Sequence, residues 1–213
     1  GAGAARLLAA IHYVGFNLTG SALFLIAVSA LYGVTGTLNM ADLSVRVARL
    51  PPESASLARS AGLLLLVVFC VKAALLPLYF WLPSTYGAAA APVAALFAIM
   101  TKVGVYAVAR MYTLAFGADG GAAADLAQPW LPPLGLATIA LAAVGALAAR
   151  DMRGLVGYLV VASAGTLLTA LGIGSRETVA AALFYLVNST LVVALLYLLA
   201  DRIGAQRGAH GDA

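Results

Sequence analysis

Two lysines are the residues of this chain best placed to do chemistry. Lys72 lies in FCVKAALLPLYFWLP and Lys102 in APVAALFAIMTKVGVYAVARM, each near the middle of a long run of apolar or small residues. A charged lysine at the centre of a bilayer helix costs about 2.5 to 3.5 kcal/mol on insertion scales. From that depth the four-carbon stem does not reach the headgroups, so snorkelling does not relieve the cost. A structural ion pair would, but no Asp or Glu lies inside any of the long apolar stretches. The remaining chemistry is proton loading and release: burial disfavours the charged form of a lysine and brings proton exchange within reach of neutral pH. Ionisable residues inside membrane segments mark proton and ion paths by default.

Polar side chains in the same kind of surroundings could extend a path between the lysines. Thr101 stands beside Lys102, Ser163 and Thr166 lie in the fifth apolar stretch, and Asn188, Ser189 and Thr190 lie in the sixth. Each could equally be a packing hydroxyl or amide between helices. His12, at the start of the first stretch, titrates in a range that suits a relay, but its position is interfacial. The single cysteine, Cys70, supports neither a disulfide framework nor a cysteine metal site. HExxH, CxxC and Ser/His/Asp patterns are absent from the sequence, and the glycine pairs Gly33/Gly36 and Gly154/Gly157 permit close packing instead of forming a phosphate loop. No cofactor and no metal are expected.

The elements that must position these residues follow from composition. The chain has 213 residues, of which 63% are hydrophobic and 9% charged, against roughly 25% charged in soluble domains. So few ionisable groups cannot cover a water-exposed surface, whereas lipid asks for none. The formal charge of +4 comes from residues scattered at segment ends, which excludes the basic patch of a nucleic-acid binder. A spanning helix needs roughly 20 mostly apolar residues, and six stretches qualify: 8 to 34, 61 to 82, 90 to 116, 131 to 149, 153 to 174 and 178 to 200. The expected fold is an all-α integral membrane protein forming one transmembrane domain over 1 to 213. Residues 35 to 60 read as an extramembrane connection with a short interfacial helix, and GADGGAAADLAQP as a solvent loop.

Pro77 removes a backbone hydrogen bond and clashes with the carbonyl four residues back, so the second helix should break within a turn or two of Lys72. Tyr79 and Trp81 then read as an aromatic belt near the interface. Six crossings put both chain ends on one side. That side holds Arg6, Arg150, Arg153, Arg202 and Arg207, and the other Arg46, Arg49, Arg59, Arg110 and Arg176, so the positive-inside count is even. The chain opens on GAGAARLLAA, without a methionine or a secretory signal, and reads as an internal segment of a longer protein.

The run VKAALLPLYFWLPSTYGAAAAPVAALFAIMTKVGVYAVARMY resembles the signature stretch of the antiporter-like membrane subunits. This family joins the proton-pumping subunits of respiratory complex I with the large subunits of multisubunit Na+/H+ antiporters of the Mrp type. LYGVTGTLNMADL and TKVGVYAVAR are most similar to the antiporter's D subunit. The resemblance implies a place within a larger bundle of about fourteen helices with two inverted repeats, each containing a broken helix. Lys72 would then be the central lysine of the first broken helix and Lys102 the connecting lysine of the next. A glutamate partner for Lys72 would come from the preceding helix, and the second broken helix would follow residue 213.

The implied function is proton translocation in a monovalent cation (Na+ or K+)/proton antiporter, as a multi-pass protein of the cell (inner) membrane. The partners would be other hydrophobic subunits, lipid, protons and monovalent cations. Such a subunit is a secondary transporter and not itself an enzyme. The alternatives are a proton-pumping subunit of an NADH:quinone oxidoreductase and a non-conducting truncated subunit. Where the family often has a histidine, this chain has Asn188, which can hold a water but cannot take up a proton near neutral pH.

Overall fold

In lipid, every backbone polar group must be satisfied within the segment that carries it, and a helix does this. A computed structural model describes residues 2 to 208; the side chains of residues 2 to 6, including Arg6, and that of Arg207 lie outside the described residues. The described elements are α1 (Ala2–Thr35), α2 (Met40–Ala48), α3 (Pro52–Ala73), α4 (Trp81–Ala88), α5 (Ala91–Leu114), α6 (Leu131–Ala148), α7 (Met152–Ile173) and α8 (Arg176–Arg207), with a single 3₁₀ turn at Gly121–Ala123. Six of them, α1, α3, α5, α6, α7 and α8, are long and apolar enough to cross a membrane.

The sequence sets most helix ends locally. Prolines occupy the first turn of α3, α5 and α6, where the missing N–H costs nothing. Asn39, Asp151 and Ser175 cap α2, α7 and α8 by accepting backbone N–H groups of the first turn. Gly36 and Gly174 follow α1 and α7 with φ of +67° and +72°, the left-handed close that glycine adopts without strain. Between two spans, α2 buries Leu43 and Val47 and carries an Asp42–Arg46 ion pair at 2.9 Å. The hydrogen bond from Arg46, supported by one from Thr37, holds the Asp42 carboxyl below its ordinary range. Arg46 also donates to the Thr35 carbonyl at 2.9 Å, closing the end of α1.

The second predicted span is not one helix. It starts earlier, at Pro52, and ends at Ala73. Residue 73 is four positions before Pro77, where the proline ring would meet the helical carbonyl. Ala74 turns left-handed (φ 57°, ψ 46°), at a cost of about 1 to 2 kcal/mol for a residue with a Cβ, and the chain resumes as α4 at Trp81.

The backbone groups freed by the break find partners. The Cys70 carbonyl accepts from Leu75 N at 3.0 Å, and Leu76 N donates to the buried Thr138 hydroxyl of α6 at 3.0 Å. Trp81 Nε1 donates to the Val71 carbonyl at 3.2 Å. This corrects the aromatic-belt expectation: Trp81 is 5% exposed and closes the break instead of anchoring an interface.

Two apolar cores stack along the bundle. One gathers Leu31, Leu65, Phe116, Leu167 and Leu168 from the half nearest α2. The other gathers Trp81, Tyr86, Val160 and Tyr197 from the opposite half. At that opposite end Arg153 joins three segments, donating to Ala89 O at 3.3 Å and to Asp201 at 2.7 Å. The second and fourth connections therefore sit at the same end as the close of α8, as expected from six crossings.

Candidate functional site

Between the two cores lies a thin polar layer. On α5, Ala98 belongs to one core and Val105 to the other, with Thr101 and Lys102 between them. On α7, Ser163 lies between Val161 and Leu167 of the two cores, and on α8, Ser189 lies between Val193 and Ala182. Thr101 is 1% exposed, Lys102 3%, Ser163 4% and Ser189 6%. A lysine this buried requires a partner, and Lys102 Nζ donates to Ser163 Oγ. Ser163 in turn donates to the Val160 carbonyl at 2.8 Å. A neutral amine keeps N–H groups, so Ser163 Oγ can accept from Lys102 in both protonation states while its own proton stays donated to the Val160 carbonyl.

Lys72 occupies the last turn of α3, where the negative end of the helix dipole favours a cation. It is half-buried, and its Nζ donates to Asn17 Oδ1 of α1. Asn17 is oriented for this by its other end, since Nδ2 donates to Tyr13 O at 2.8 Å. Lys72 also lines a cavity of about 560 Å³ between α1, α3 and α5, with Gly20, Phe24 and Val103 among its walls. Among the described residues the ion pairs are Asp42–Arg46 and Arg153–Asp201, so neither lysine meets a carboxylate there.

Gly104 joins the two lysine sites. A Cβ at this position would come within 2.9 Å of Ala73 N and 3.1 Å of Lys72 Cβ, so α5 rests directly on the backbone where α3 ends. Gly104→Ala should therefore destabilise the bundle by about 1 to 3 kcal/mol, because the nearest atoms are backbone and cannot turn aside. Thermal unfolding of the purified protein checks this, and an unchanged midpoint would show that α5 slides freely past the break.

The remaining expected residues separate. Thr190 shares with Lys102 a groove between α5 and α8 that also includes Leu186 and Tyr106, and its hydroxyl donates to Leu186 O at 2.6 Å. Ser189 donates to the same carbonyl at 3.3 Å. Asn188 is exposed on α8 and lies outside that groove. Thr166 and His12 are exposed as well. Of the expected glycine contacts, a Cβ at Gly157 would come within 3.0 Å of Pro83 Cα, so α7 packs closely on α4 there, whereas nothing lies within 4 Å of a Cβ at Gly33.

Sequence reasoning missed Asn17, Thr138 and Tyr86, whose hydroxyl lies 2.8 Å from Thr101 Oγ1. A polar residue in the apolar run before a buried lysine is a usable signal for Asn17. Nothing local points to Tyr86.

Six membrane-length helices around a buried polar layer with a lysine at its centre define a multi-pass membrane protein. Residues 2–211 match the family described as NADH:quinone oxidoreductase/Mrp antiporter, TM, and the chain belongs to that family. The D subunit of a probable K(+)/H(+) antiporter from Rhizobium meliloti (strain 1021) is 47% identical over 212 residues, covering 100% of this chain and 39% of the relative. The D subunit of the Na(+)/H(+) antiporter from Bacillus subtilis (strain 168) is 38% identical over 204 residues, covering 95% and 40%. In the Mrp complex from Dietzia sp. DQ12-45-1b, a chain with 28% identity superposes with a TM-score of 0.80 over 90% of this chain and 34% of its own length. The chain spans about two fifths of the length of the curated relatives it matches.

Proposed function

We propose that this chain is the part of a monovalent cation/proton antiporter subunit that carries protons, with Lys72 and Lys102 as the carriers. One observation supports this above the others: Lys102 is 3% exposed, held by Ser163 and placed between two apolar cores without a counter-charge among the described residues. A lysine serving only to pack helices would gain nothing there over an apolar side chain of its size, which avoids the cost of burying an amine. The relatives named as K(+)/H(+) and Na(+)/H(+) antiporter subunits agree with the reading.

In this mechanism a carboxylate from a neighbouring helix sets the charge of Lys72. Release of its proton shifts the balance at Lys102, because α3 and α5 meet at Gly104. Thr101, Ser163, Ser189 and Thr190 hold the polar layer through which the proton moves, Asn188 stays outside it on the exposed face of α8, and α2 lies in the interface. Moving one charge through 100 mV is worth about 2.3 kcal/mol, enough to couple proton entry to cation export.

The family description also covers NADH:quinone oxidoreductase, and a proton-pumping subunit of that enzyme is the second reading. The full-length protein, purified with its partners and reconstituted in acid-loaded liposomes, separates them. Adding sodium or potassium outside should collapse the pH gradient, and adding NADH and quinone should not. Proton movement driven only by NADH and quinone, with flavin and iron–sulfur subunits in the preparation, would replace the antiporter with the enzyme.

A further inference from the structure

Near the end of α8 lies a cavity of about 900 Å³ lined by Arg150, Asp151, Arg153 and Asp201, together with Pro83 and Ala200. Pro83 and Ala200 are each three residues from a buried tyrosine, Tyr86 of α4 at 1% exposure and Tyr197 of α8 at 0%. The two rings meet edge to face with centroids 6.3 Å apart. Tyr86 is fully engaged, its hydroxyl donating to Phe97 O at 2.6 Å and lying 2.8 Å from Thr101 Oγ1. The Tyr197 hydroxyl is buried and, among the described residues, has no hydrogen-bond partner. An unmet buried hydroxyl costs about 1 to 3 kcal/mol, and in proteins such groups are usually met by an ordered water. Along α8, Tyr197 lies one turn from Asp201, about 6 Å deeper at 1.5 Å per residue. Tyr197 therefore lies between the charged cavity and the polar layer in the order of residues along α8.

We infer that the Tyr197 hydroxyl holds a buried water that connects this cavity, through Tyr86 and Thr101, to Lys102, making this end of the bundle a proton mouth. The inference rests on the proposed role of Lys102. In one transfer the Tyr86 hydroxyl turns its proton from the Phe97 carbonyl to Thr101, 2.8 Å away, as the water takes a proton from the cavity and passes one to Tyr86. A second water, bridging the adjacent residues Thr101 and Lys102, delivers one to the neutral amine. Each hydroxyl gains and loses one proton, so the net change is one proton from the cavity to Nζ.

Tyr197→Phe keeps the ring and removes only the hydroxyl. If Tyr197 merely packs, removing an unmet polar group leaves exchange intact and thermal stability equal or higher. If it holds the relay water, cation-driven proton movement in liposomes containing the full-length protein and its partners falls at least about tenfold. The ratio of rates in H₂O and D₂O then rises, because proton entry has become limiting, while the unfolding midpoint stays unchanged. Full exchange in Tyr197→Phe, or a lower rate with an unchanged isotope ratio and a lower midpoint, overturns the inference. Lys102→Met, measured alongside, separates the two levels. Loss of exchange in Lys102→Met with full exchange in Tyr197→Phe sinks this inference alone, whereas full exchange in Lys102→Met sinks the reading beneath it as well.

Discussion

Lys102→Met is expected to reduce cation-driven proton exchange by about 100-fold or more at equal expression, the scale on which a positioned proton donor contributes to a transfer. Methionine matches the length and flexibility of the lysine stem and suits the apolar walls around α5, so the bundle should still form. Lys102→Arg sharpens the expectation. Arginine keeps the charge and can still donate to Ser163 Oγ, the partner of the native amine, but it does not release its proton in proteins. If Lys102 is a carrier, both variants are inactive; if it supplies only a fixed positive charge, the arginine variant transports. Proton movement read by a pH-sensitive dye in reconstituted liposomes decides between them.

Lys72→Ala is expected to abolish coupling while leaving the protein folded. Lys72 is half-buried and lines the cavity between α1, α3 and α5, so its removal enlarges a space already there and leaves no sealed void. The break that follows is held by other groups: Trp81 on the Val71 carbonyl, Leu76 N on Thr138, and the contact at Gly104. None of these involves the amine. Exchange at the wild-type rate in Lys72→Ala would make Lys72 a structural lysine whose work ends at Asn17.

Both expectations can be framed from sequence because a lysine among apolar residues is conspicuous. Their geometry cannot. The partners Asn17 and Ser163 lie 55 and 61 residues away from Lys72 and Lys102 in the chain, and their pairing depends on how each helix is rotated about its axis. Ser163 stands out in the sequence for its place in an apolar stretch, and the fold brings it to Lys102. Asn188 stands out on the same ground and lies exposed on α8. Trp81 shows the limit in another way. An aromatic residue after a run of apolar ones reads as an interface anchor, but the carbonyl freed when Pro77 ends α3 is the partner its indole N–H finds.

The amino-acid sequence by itself determined that this protein lives in lipid, that it crosses by helices, where α5, α6 and α7 start and stop within a few residues, and that one helix breaks beside a lysine, although that helix begins and ends nine residues earlier than hydropathy places it. All of these follow from interactions within a few residues: hydropathy summed over one span, the missing N–H of a proline, a capping side chain, a left-handed glycine. The tertiary structure alone decided that the two lysine helices touch at Gly104, that the polar side chains of α5, α7 and α8 fall at one depth between two apolar cores, and that one tyrosine hydroxyl faces that interior without a partner among the described residues. Helix rotation and approach decide those contacts. In a bundle surrounded by lipid the choice among rotations rests on close packing and a few hydrogen bonds between distant residues, which hydropathy along the chain does not encode.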